Sequence, residues 1–365
     1  MYLTGGSDDS DEHVASSAQC QEHDVTSLRT SLRTTGAAVA AFTLATVLAV
    51  SGQASASTPV SASPVMTEPE STEPTGPALT VPQQTLDEAV NCTPDVHPGS
   101  GKKPVVLVGG VGFDPADAWG WGYSRALARD GYGVCEVTIP ASGRGDATIG
   151  AEYVGNAVRH AQARSGQKVS IVAHSAGPAL SLWALRFWPD VAASVDDMVS
   201  LAGPIHGTQP VNLICSVGFC PVLAHQLSMG SEFIAALNRE PISPSVSVTS
   251  IFTLFDEGIQ PAREVSSYPG AANIALQDHC PGRFVEHIGL MYDAATYRLA
   301  LDALSNPGPA VPARIPNLCA GITLRGFDIA TLLPSFTQGA IKYLGILGQP
   351  SLPAEPALPQ YAQQG

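Results

Sequence analysis

Between residues 104 and 255 the chain alternates short apolar, β-branched runs with segments of helical periodicity, and that rhythm narrows the architecture most. Pro104–Val108, Val134–Ile139, Val169–Ala173, Val199–Gly203 and Val246–Phe255 read as strands. Tyr123–Arg129, Ile149–Ala163 and a stretch from about Ala176 to Trp188, stopped by Pro189, read as helices. Strands without a polar face must be covered on both sides, and strands separated by helices run parallel. The pattern therefore predicts an α/β fold, a mostly parallel sheet flanked by helices on both faces. Residues 204–245 break the rhythm with Gly, Pro and short apolar helices, as an inserted cap or pocket wall would.

The flanks carry different information. Gly36–Val50 is apolar and uncharged, follows Arg29 and Arg33, and precedes Ala54-Ser55-Ala56. A basic region, a short apolar core and a small-x-small cleavage site make a secretory signal, too short for a ready membrane span. An acidic leader precedes the arginines, which translation starting near Val25 would remove; an uncleaved membrane anchor is the rival. Residues 57–86 are rich in Ser, Thr and Pro and cannot bury enough apolar surface to offset chain entropy, so they read as a disordered linker. Residues 349–365 read as a flexible tail, which leaves 87–348 as one domain.

Of seven cysteines, Cys20 lies in the leader. Cleavage after Ala56 leaves an even six, Cys92, Cys135, Cys215, Cys220, Cys280 and Cys319. Three bridges are then expected outside the cell, with connectivity open. No Cys-x-x-Cys pair suggests a metal site. The formal net charge of −14 leaves nothing to neutralise phosphates and excludes nucleic acid as partner.

The chemistry sits after the third strand. Ala173-His174-Ser175-Ala176-Gly177 is a small-x-Ser-x-small turn between a β-branched run and an apolar helix. Small residues are needed because the chain reverses sharply, lifting the hydroxyl above the sheet's carboxyl edge at a helix N-terminus. The plain alternative is an N-cap serine on an ordinary βα unit. In the α/β-hydrolase fold the partners follow in the order Ser, Asp or Glu, His. Asp256 leaves the Val246–Phe255 strand and is the chosen acid, with Glu257 its rival. Of nine histidines only His279 and His287 follow it outside other contexts; His279 adjoins Cys280, so His287 is the chosen base. His206 precedes the acid but could line a pocket. Two backbone amides should form the oxyanion hole, that of Ala176 and that of Val111 in Gly109-Gly110-Val111-Gly112. A phosphate-cradling loop is the alternative there, but no Lys-Ser/Thr follows it.

From Cys92 to Cys319 the chain resembles the Candida antarctica lipase B-like α/β-hydrolase family of secreted lipases and esterases. The matching pieces are Lys103–Gly112, Gly131–Cys135, the Ser175 turn with Trp183 and Phe187–Pro189, Phe255–Pro261 and Glu286–Leu290. The resemblance implies a Ser175–His287–Asp256 triad and bridges Cys92–Cys135 and Cys280–Cys319, leaving Cys215–Cys220 to close locally. Departures stand at Val111, where the family carries a threonine donor, at Ala176, where it carries glutamine, and at His174, where it carries tryptophan. The last should alter the polarity of the pocket floor.

These readings converge on a monomeric, secreted serine hydrolase cleaving carboxylic esters, with an ester or lipid substrate that a lipid–water interface could present. No metal or organic cofactor is needed. An acyltransferase would use the same residues, and a catalytically silent binding module would need none of them. Apolar segments around 210–238 and 320–345 could shape an acyl pocket or simply pack the core.

Overall fold

The computed structural model describes residues 75–363. The secretory segment and most of the linker lie outside the described residues. Seven strands form one sheet in the order β1-β3-β2-β4-β5-β6-β7. They are β1 (Val90–Cys92), β2 (Pro104–Val108), β3 (Gly133–Val137), β4 (Val169–His174), β5 (Val195–Leu201), β6 (Ser247–Phe252) and β7 (Ala272–Ala275). Only β1 is antiparallel, paired with β3; the other pairings are parallel.

Every residue of β2 and of β4 is buried, the polar Ser170 and His174 of β4 included. Alternate residues feed two cores. Val106, Val108, Ile171 and Ala173 face the helices α4 (Ala147–Ser165) and α5 (Gly177–Phe187). Val105, Leu107, Val172 and Leu201 face α3 (Tyr123–Arg129) and α12 (Ala294–Ser305). Helix α4 begins where Asp146 accepts the Thr148 amide at 2.8 Å and ends where Gly166 takes φ +69°, a left-handed stop that glycine adopts without a Cβ clash.

The order of the strands sets the location of the site. The chain leaves β2 toward β3 on one side and returns through α4 to β4 on the other. A crevice must therefore open beyond the carboxyl ends of β2 and β4, which lie side by side with Val108 paired to Ala173. A separate wide cleft, lined by Lys103, Asp197 and Tyr268, opens at the opposite, amino-terminal edge.

Two expectations are corrected. The stretch 75–86 is not a free linker: Glu152, buried in α4, accepts the Thr80 and Val81 amides at 2.7 and 2.9 Å and the Thr80 hydroxyl at 2.7 Å. Leu86 in α1 (Gln83–Glu88) is fully buried. Nor is 349–363 a loose tail. Glu355 accepts the Glu232 and Phe233 amides, both at 2.8 Å, at the start of α9 (Glu232–Asn238). Leu358 and Ala362 are buried, and Tyr361 packs among Trp183, Phe187 and Trp188. Both segments meet at Trp188, whose indole N–H donates to Pro77 at 2.8 Å. Polar anchors at Glu152 and Glu355, together with a few buried apolar side chains, order these Pro-rich segments.

The irregular region 204–245 contains α7 (Gln209–Ser216), α8 (Val222–Leu227) and α9. Helices α8 and α9 bury Leu223, Leu227, Phe233 and Ile234 and are core packing, whereas α7 buries no residue. The remaining helices are short segments α2 (Pro115–Ala118), α6 (Pro189–Ala193), α10 (Ala262–Ser266), α11 (Leu276–His279) and α14 (Gln360–Gln363), together with the longer α13 (Ile329–Leu344). Among the described residues no helix is long and apolar enough to cross a membrane.

Candidate active site

Ser175 stands between β4 and α5 with φ +60°, a left-handed angle that costs a non-glycine residue about 1–3 kcal/mol. Its amide is held by the Leu201 carbonyl of β5 at 3.0 Å, so neighbouring strands fix the strained turn. The structure also explains the small residues around it. A Cβ on Gly177 would lie 2.6 Å from the Val108 carbonyl oxygen, and one on Gly110 would lie 2.4 Å from the Ser175 Cβ. Loop and turn approach so closely that only glycine fits at either place.

Three residues far apart in sequence come together at this edge. The Ser175 hydroxyl lies 2.9 Å from His287 Nε2, and His287 Nδ1 lies 2.8 Å from Asp256 Oδ2. A carboxylate only accepts, so Nδ1 carries the proton and Nε2 is left to accept from Ser175. Asp256 is 3% exposed, and its other oxygen accepts the Gly258 and Ile259 amides at 2.9 and 2.7 Å. The carboxylate is thus fully bonded on the side away from the histidine, which aims it. Helix-like backbone starts at Ile288, as the sequence pattern after His287 suggests.

Several groups hold His287 from behind. Glu257, the rival acid, is exposed and accepts the His287 amide at 3.1 Å. Thr253 donates its hydroxyl to the Val285 carbonyl at 2.7 Å, tying the segment to the end of β6. Arg283 pairs with the buried Asp293 at 2.6 Å, and Asp293 accepts the Ala295 and Thr296 amides that begin α12.

His174, next to the nucleophile, is 2% exposed and packs against His287. Its Nε2–H donates to the His287 carbonyl at 3.0 Å, and the two rings lie 4.6 Å apart. Burial, and then the neighbouring His287, push the His174 imidazole well below its ordinary range, so it is neutral. The remaining histidine candidates stay apart: His279 is exposed on α11, and His206 is half-buried with no hydrogen bond to Ser175, His287 or Asp256.

Among the described residues neither the Val111 amide nor the Ala176 amide donates to a protein acceptor. Ala176 stands immediately before α5, and Val111 lies on the loop whose Gly110 presses on Ser175. No side chain with a hydroxyl or amide occupies either position. Among the described residues no group of three or more His, Cys, Asp or Glu gathers in the manner of a metal site.

The cysteine sulfurs pair as 92 with 135, 215 with 220 and 280 with 319, at 1.96, 1.96 and 1.93 Å. The first joins β1 to β3 in register, and the third anchors the segment before His287 to the loop at Cys319.

Comparison with known proteins finds relatives among lipases. The family model described as lipase (class 2) matches residues 156–295, a span that contains Ser175, Asp256 and His287. Lipase B of Pseudozyma antarctica is 26% identical over 237 residues, 62% of this chain and 68% of that protein. The crystal structure of Aspergillus fumigatus lipase B superposes with a TM-score of 0.71 at 27% identity, covering 79% of this chain and 74% of that one. With the parallel sheet and the serine turn at its switch point, the chain is similar to lipase B in sequence and in fold, and these likenesses support a carboxylic ester hydrolase.

Proposed function

We propose that the protein is a secreted, monomeric lipase or esterase that works through an acyl-enzyme on Ser175. His287 takes the Ser175 proton as the oxygen attacks the ester carbonyl. The Val111 and Ala176 amides hold the oxyanion, and His287 then gives its proton to the departing alcohol. Water, activated by the same histidine, releases the acid. Asp256 keeps the imidazole in the tautomer that can accept and stabilises the imidazolium.

The observation that carries this reading is the unbroken relay from Asp256 through His287 to Ser175, with distances of 2.8 and 2.9 Å. General-base catalysis of this kind contributes roughly 10²–10⁴-fold. Two unpaired amides beside the serine support the oxyanion assignment, and each such donor can contribute about 3 kcal/mol. The resemblance to lipase B supports an ester or lipid substrate. Three cysteine pairs and the signal-like run before residue 57 support export.

Labelling with a fluorophosphonate, followed by peptide mapping, tests the reading. Modification at Ser175 and loss of ester hydrolysis in Ser175→Ala are expected; undiminished hydrolysis by that variant would overturn it. Product analysis with an added alcohol separates hydrolysis from acyl transfer, and amino-terminal sequencing of protein from the medium tests export.

A further inference from the structure

The loop from Gly109 to Asp117 carries the Val111 amide, and little of its own chemistry holds it. Its backbone contact on one side is the Gly112 amide donating to the Ser142 carbonyl at 2.7 Å. That partner is itself held in a tight turn, since Ala141 and Ser142 take φ +52° and +51°. On the other side the loop meets α13.

Helix α13 is unusual among the longer helices. Of its 16 residues only Gly339 is buried, while Leu333, Phe336, Ile341 and Leu344 are exposed. Apolar burial therefore does not hold it in place. Its amino end is fixed by Asp328, which caps Ala330 and Thr331 and pairs with Arg125 at 2.6 Å. Its carboxyl half is fixed almost wholly by the loop. Gly339 sits against the Phe113 ring, Phe336 lies 6.4 Å from it, and Gly112 abuts the Tyr343 backbone. Lys342 lies at the centre of these contacts: its ammonium reaches Asp114 at 2.6 Å and also Asp117, the two residues bracketing the start of α2. Arg144, which follows the Ser142 turn, donates to the Lys342 carbonyl.

We infer that Lys342 is a positioning residue for ester hydrolysis, clamping α13 to Asp114 and Asp117 and so fixing the loop that presents the Val111 amide to the substrate oxygen. The inference rests on the reading of Val111 as an oxyanion donor. The clamp spans both exits of the loop, because Arg144 ties the Lys342 backbone to the side where Gly112 is bonded. Partial burial opposes the lysine charge, but the two carboxylates outweigh it and hold the ammonium above its ordinary range, so the clamp stays charged at neutral pH. Without it the loop keeps the Ser142 bond and the Phe113 packing but loses its only ionic tie to α13 among the described residues. With no side-chain donor at Val111 or Ala176 to compensate, small displacements of that amide fall directly on the transition state.

The test compares Lys342→Met, Lys342→Arg and Asp114→Asn/Asp117→Asn in the full chain with a soluble short-chain nitrophenyl ester, active sites being counted with a fluorophosphonate. The expected result is a kcat about tenfold lower in K342M, from a sub-ångström loosening, with KM within about twofold. K342R should recover most of the loss, and K342M should cause no further loss in the double-asparagine background. A wild-type kcat in K342M, or a loss that persists unchanged in the double-asparagine background, overturns the clamp. If K342M does not fold, a wild-type kcat in the double-asparagine variant, which keeps the size of both side chains, overturns it equally. Val111→Pro, which deletes the amide hydrogen, separates the two readings. Wild-type kcat in a folded V111P variant refutes the oxyanion role of Val111. A collapsed kcat there beside an unchanged K342M refutes only the clamp.

Discussion

Gly110→Ala is the sharpest probe of the site, because it adds one methyl at the point of closest approach to Ser175. That carbon would lie 2.4 Å from the Ser175 Cβ, 2.9 Å from its Oγ and 3.2 Å from the His174 carbonyl oxygen. Ordinary carbon–carbon contact is about 3.5–4.0 Å, so the turn and the loop must separate by about 1 Å. Neither side is free to give: Ser175 is tied to Leu201 at 3.0 Å, and the loop is tied to Ser142 at 2.7 Å. Overpacking of this kind costs about 1–3 kcal/mol of stability. The displacement also takes the hydroxyl from its 2.9 Å contact with His287. A misplacement near 1 Å costs on the order of 10²-fold in kcat, about 2.7 kcal/mol of barrier. Urea unfolding gives the first quantity, and steady-state hydrolysis normalised by active-site titration gives the second. Gly145→Ala is the control, since nothing stands within 4 Å of its would-be Cβ. If G110A keeps kcat within about threefold of wild type while G145A behaves the same, the close packing of loop on nucleophile is not what sets the geometry.

Other consequences can be measured independently. His174 is depressed in the folded state by burial first and His287 second, and His206 is depressed by burial, so the unfolded chain binds the extra protons as pH falls below about 6.5. Stability contributed by neutral His174 is complete above that pH and is lost on acidification. His174→Phe should flatten the fall between pH 6.5 and 5 by about 2 kcal/mol, and parallel wild-type and variant curves would reject the assignment. Deleting residues 349–363 should cost at least about 3 kcal/mol, with Tm lower by about 6–12 °C, because Tyr361 and Leu358 leave the core; an unchanged Tm would restore the loose-tail expectation. Opening Cys92–Cys135, a loop of 43 residues, should cost about 4 kcal/mol, against about 2 for Cys215–Cys220, which spans 5. Guanidinium midpoints in the reverse order would contradict the chain-entropy account.

What the sequence made legible follows from which forces are local. The runs forming β2 and β4 betray burial on both faces through composition alone, and the serine turn is readable because steric demand acts within five residues. Asp256 and His287 could be chosen because chain order around a parallel sheet limits the candidates. The ends were misread for a physical reason: Thr80 and Val81 are ordered by one buried carboxylate, Glu152, more than 70 residues away. Hydropathy does not register such an anchor. His174 gave no sign of sitting beneath His287, since its partner is a backbone carbonyl 113 residues on. Lys342 and Asp114, 228 residues apart, look like ordinary surface charges until the fold joins them. The exposed apolar residues of α13 read equally well as core in the sequence; their exposure is decided by what the helix packs against.

The meeting of Pro77 and Tyr361 at Trp188 bears on when the domain can form, not only on how it is held. Pro77 and Trp188 are 111 residues apart and Tyr361 lies farther along still, so these contacts close late in folding, and the cluster of Trp183, Phe187 and Trp188 lacks Tyr361 until residues 358–362 arrive. The native core is thereby withheld from a partly synthesised chain. The same proximity makes the order of segments along the chain dispensable: a short Gly/Ser bridge from residue 363 to residue 75, with new termini opened at the exposed Gly218, should yield a circular permutant that retains the serine turn intact.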